Sequence, residues 1–120
     1  MVPQPISEAR IWDEINTSEA RMTVAQRRLW EAIRIQPEKW ALHPWGDESG
    51  GFWVVGLIGN VVVWFNEIED GFNRSLYRRH GVIDEYFCNQ DELEIAIQQL
   101  LMVIQTGYSI GGQAGPPEPI

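Results

Sequence analysis

The stretch from Gly51 to Ile68 is apolar on both sides of any strand it can form, and this restricts the fold more than any other feature of the chain. Phe52 to Ile58 and Val61 to Ile68 are dense in β-formers, with Gly59-Asn60 between them. The pattern predicts a hairpin whose tight turn runs from Ile58 to Val61, with Gly59 or Asn60 at positive φ. Alternation places Phe52, Val54 and Ile58 on one face and Trp53, Val55 and Leu57 on the other. In the second strand Val61, Val63 and Phe65 oppose Val62, Trp64, Asn66 and Ile68. A sheet wetted on one side carries polar residues at every second position. This hairpin does not, so it needs cover twice. Helices are expected over one face. The rest of the chain or a second subunit is expected over the other, and the expectation of a homodimer rests on that. The alternative is that N- and C-terminal helices divide the two faces between them.

Helices flank the hairpin. Ser7 is placed to cap a helix carrying Ile11, Trp12 and Ile15, with Asn16-Thr17-Ser18 reading as a break and a continuous helix through Ala20 as the alternative. Thr23 and Gln26 have the capping-box spacing, and Ala25, Leu29, Trp30 and Ile33 recur at helical intervals up to Arg34. Pro37 ends that helix. Glu38 to Leu42 reads as a short first strand, and His43 to Gly51 as loop. After the hairpin, Glu69 to Asn73 is expected to be loop, with a turn at Asp70-Gly71. Ser75 to Tyr77 is extended or a single helical turn, and Val82 to Phe87 a strand. Asn89 and Glu92 have capping-box spacing ahead of a helix to about Gln105, with Leu93, Ala96, Ile97, Leu100, Leu101 and Ile104 in one stripe. The expected fold is α+β: N-terminal helices, a small antiparallel sheet centred on the 51–68 hairpin, and a C-terminal helix packed on the sheet. With 120 residues one domain is expected, over 1–108. Residues 109–120 are rich in Gly and Pro with little to bury, and are expected to form a disordered tail.

The formal charge is −8, and it is unevenly placed. Residues 1–46 carry six acidic and six basic groups; residues 47–120 carry eleven acidic groups against Arg74, Arg78 and Arg79. Such a field repels nucleic acid and anionic membrane and steers basic proteins inward. Plain solubility is the competing explanation. Cys88 is the single cysteine, so an internal disulfide is excluded and a cytoplasmic setting is expected. The first residues carry neither a basic region nor an apolar run, and the longest apolar stretch is far short of a membrane span.

No set of residues has the spacing of a catalytic or metal site. His43, His80 and Cys88 form no tight ligand pair, and the acidic run lacks the arrangement of a calcium loop. The Gly46 to Gly51 segment is acidic and lacks the lysine of a phosphate loop. No cofactor is expected. What remains is recognition: Trp45, Phe72, Tyr77 and Tyr86 stand among Asp47, Glu48, Glu67, Glu69, Asp70, Asp84 and Glu85. Aromatic anchors ringed by carboxylates suit a basic protein partner. The expected function is therefore non-catalytic protein binding, one concrete form being a toxin-neutralising (immunity) protein. The alternative is a small enzyme or metal-dependent hydrolase using the acidic loop 67–73 with His80 or Cys88.

Overall fold

The computed structural model describes residues 5–107 and Gly115. The expected tail, 109–120, lies outside the described residues apart from Gly115. Helix α1 spans Glu8–Arg21, with the Ser7 hydroxyl accepting the Arg10 N–H at 3.1 Å. It runs through Asn16-Thr17-Ser18 without a break. Ile11, Ile15 and Ser18 are buried on one stripe, so packing outweighs the poor helix propensity of these three polar residues. Helix α2, Val24–Ile33, opens on the expected capping box: Gln26 N–H donates to the Thr23 hydroxyl at 3.2 Å, and Thr23 N–H to the Gln26 carbonyl oxygen at 2.9 Å.

The chain turns directly from α2 into strand β1, Arg34–Trp40, four residues before the expected start at Glu38. Pro37 sits where the pairing with β2 slips, between Arg34 and Glu38. An edge strand tolerates this, because the missing N–H leaves no central ladder bond unmade. Strands β2, Phe52–Ile58, and β3, Val61–Asn66, form the expected hairpin, with Gly59 at φ +57°. Strand β4, Gly71–Leu76, takes over the expected loop from Gly71 to Asn73, includes Ser75 and Leu76 in the extended form that was one of their two expected states, and completes an antiparallel sheet in the order β1-β2-β3-β4. Helix α3 spans Leu93–Thr106. Its N-cap is Glu92, with no side-chain cap, rather than Asn89, whose side-chain amide donates to Asp91.

The three helices of the described residues lie on one face. Ile11 and Ile15 of α1, Trp30 and Ile33 of α2, and Leu93, Ala96, Ile97 and Leu100 of α3 close over Val55, Val63, Phe65 and Phe72. The hairpin does not alternate strictly. Val54 pairs with Trp64 and Gly56 with Val63, so two steps along β2 meet one along β3. Past this bulge Ile58 packs with the helix-side cluster and Leu57 with Phe52 and Val54, an exchange of the faces that uniform alternation assigns them.

The opposite face holds Trp40, Phe52, Val54, Val62 and Trp64, covered by Leu42, Ile83 and Tyr86. The cover belongs to the same chain. The strand expected from Val82 to Phe87 does not form. Residues 82–91 make isolated bridges only, and side chains of the sheet meet much of their backbone. The Ser75 hydroxyl donates to the Glu85 carbonyl at 2.7 Å, the Asn66 amide to the Phe87 carbonyl at 3.0 Å, and Asn89 N–H to the Asn73 side-chain oxygen at 2.8 Å. The backbone adds Ile83 N–H to Ala41 and Phe72 N–H to Asp91. Thus neither the even division of helices between faces nor a second subunit is needed to cover the hairpin. Among the described residues, no helix is long and apolar enough to cross a membrane.

Candidate interaction surface

β3 ends at Asn66, two residues short of Ile68, and the reason is the asparagine itself. Its buried side-chain oxygen accepts the N–H groups of Ile68 at 3.0 Å and Glu69 at 3.3 Å, turning the chain out of the sheet. Asp70 takes φ +56°, a left-handed conformation that Asp tolerates, and Gly71 starts β4. A rigid strand end thereby presents Glu67, Ile68, Glu69 and Asp70 on a short turn.

A second loop lies beside it. Gly46 N–H bonds to Leu42 and Gly51 N–H to Gly46, a single 3₁₀ turn covers Asp47–Ser49, and His43 Nδ1 meets the Asp47 carboxylate at 2.6 Å. Lys39 ties this loop to the sheet by donating to the carbonyls of Ser49 at 3.1 Å and Gly51 at 3.2 Å. Its ammonium also lies 5.1 Å over the Trp53 ring. Trp45 lies flat on Tyr86, ring centroids 4.3 Å apart and planes at 17°, and stays 39% exposed. Tyr86 is buried behind it, and that burial raises the phenol above its ordinary pKa despite a hydrogen bond with Asn66.

Where the two loops meet, Trp45, Glu48, Ser49, Glu67 and Ile68 line a small cavity. Glu67 is the unusual member. Its side chain is only 3% exposed. Oε2 accepts the Ile6 N–H at 2.8 Å, and the Ile6 carbonyl in turn accepts the Trp53 indole N–H at 3.0 Å. Oε1 accepts no hydrogen bond; the Lys39 ammonium stands 3.9 Å away.

Seven of the eleven residues singled out in the sequence lie on these two loops or directly behind them: Trp45, Asp47, Glu48, Glu67, Glu69, Asp70 and Tyr86. Asp70 also reaches Arg10 of α1 at 3.5 Å. The other four are not part of this surface. Phe72 is buried in the helix-side core against Phe65, where no partner reaches it. Tyr77, Asp84 and Glu85 are tied to the other end of the sheet. The Tyr77 hydroxyl donates to Gly59, Asp84 accepts from Arg78, and the Glu85 carboxylate accepts the Leu76 N–H at 2.7 Å. Glu85 thus serves as a substitute strand partner for the β4 edge.

His80 pairs with Glu38 of β1 at 2.8 Å and lies against the Trp40 ring. The half-buried Cys88 thiol donates to the Gly115 carbonyl. Among the described residues, no three His, Cys, Asp or Glu side chains are grouped to hold a metal ion. The sequence reading passed over Ile68, Ser49 and Lys39. Ile68 is the informative omission: counting it as strand hid it, and the Asn66 side chain, suited to turn the chain two residues on, is the signal that frees it. None of the family models, curated proteins or solved structures compared with this chain matches it significantly.

Proposed function

We propose that this chain is a non-catalytic interaction domain that binds a basic protein through the surface formed by residues 43–49 and 67–70. A toxin-neutralising (immunity) protein is the concrete form that best fits a small acidic chain of this kind. One observation carries the reading: two large apolar residues, Trp45 and Ile68, are 39% and 40% exposed and line one small cavity with Glu48 and Glu67, on braced loops that also carry Asp47, Glu69 and Asp70. Exposed aromatic surface supplies affinity at a protein interface, and the surrounding charge supplies partner choice and encounter rate. Tyr86 fixes the Trp45 ring from behind, so little side-chain freedom is lost on docking.

Capture from native lysate on the immobilised protein, at low and at moderate salt, tests the reading when run beside Trp45→Ala and a Glu48→Gln/Glu69→Gln double variant. The expected result is a basic protein whose retention falls with salt and with either variant. Retention of neutral or acidic proteins only, or retention indifferent to both variants, overturns it.

A further inference from the structure

We draw no further inference here: the strongest candidate, the groove of about 250 Å³ at the β4 edge lined by Val61, Leu76, Leu100 and Val103 with the buried Arg74, is an apolar face and nothing in the structure shows what covers it.

Discussion

At the scale of single residues, Trp45 is where the proposed recognition role can be separated from stability. Its ring is anchored on one side only, by Tyr86, and 39% of the residue is in solvent. Removing it loses an aromatic stack but opens no interior cavity. Trp45→Ala should therefore lower unfolding stability by only about 1 kcal/mol, read from denaturant midpoints. Affinity for the basic partner should fall by about 2 kcal/mol or more if the ring is an interface anchor. A loss confined to stability would make Trp45 a packing residue. Glu94 shows the opposite balance, because its partner is internal. Burial pushes its carboxyl up, but hydrogen bonds from Arg21 and Ser18 and the charge of Arg21 outweigh that and hold it below the ordinary carboxylate range. A carboxyl depressed in the folded state binds its proton more weakly there than in the unfolded chain. Its contribution is thus complete above the unfolded pKa and is lost as pH falls through the folded one. Stability should decline on acidification below about pH 5, and Glu94→Gln should flatten that decline in urea titrations at stepped pH.

At the scale of elements, what was legible follows from how local each signal is. The hairpin, the capping box at Thr23 and the C-terminal helix rest on neighbours within a few residues, and each forms where the sequence places it apart from its ends: β3 stops at Asn66 instead of Ile68, and α3 is capped by Glu92 instead of Asn89. β4 and the segment 82–91 rest on partners far along the chain. Gly71 to Leu76 contains Gly, Asn, Arg and Ser, a poor strand by propensity, yet it pairs residue for residue with β3 from Asn66 to Val61. Val82 to Phe87 has strand composition but finds no free ladder: the side chains of Asn66 and Ser75 meet its backbone, that of Asn73 meets Asn89 just beyond it, and the Glu85 carboxylate takes the Leu76 N–H of β4. The candidate two-loop site was legible in seven of its residues but not as a shape, since residues 43–49 and 67–70 meet only after the sheet forms. Two glycines test this account of the elements. A Cβ at Gly71 would stand 2.3 Å from the Asn89 carbonyl oxygen and 2.4 Å from the Gln90 Cα, which are backbone atoms with no rotamer to escape to. One at Gly59 would meet nothing within 4 Å, and only its φ of +57° resists substitution. Gly59→Ala should cost about 1–2 kcal/mol. Gly71→Ala should cost more, about 3 kcal/mol, because segment 82–91 must lift from the sheet edge. Equal thermal shifts for the two variants would show that this segment yields freely.

At the scale of the whole molecule, internal cover and external charge lead to one behaviour. Among the described residues the chain covers both faces of its hairpin itself, under α1, α2 and α3 and under residues 41–46 and 82–91, so the hairpin needs no second subunit as cover. Light scattering at micromolar protein should return a mass near 13.8 kDa; twice that mass would require an interface elsewhere. Self-repulsion from a charge of −8 works in the same direction, and the same charge would steer the proposed basic partner inward. On the proposed reading the two loops divide that work: their exposed carboxylates would act at long range, during approach, and Trp45 and Ile68 only after contact. Salt separates these stages, since the screening length falls from about 30 Å at 0.01 M to about 8 Å at 0.15 M. Stopped-flow association with the basic partner should slow by about tenfold or more across that range, while dissociation changes by less than about threefold. Glu69→Gln, which removes a rim charge outside the cavity lining, should reduce the salt dependence of association and leave dissociation nearly unchanged. Trp45→Ala should do the reverse. If salt acts mainly on dissociation, the carboxylates are making contacts within the interface and the division between steering rim and apolar centre is wrong.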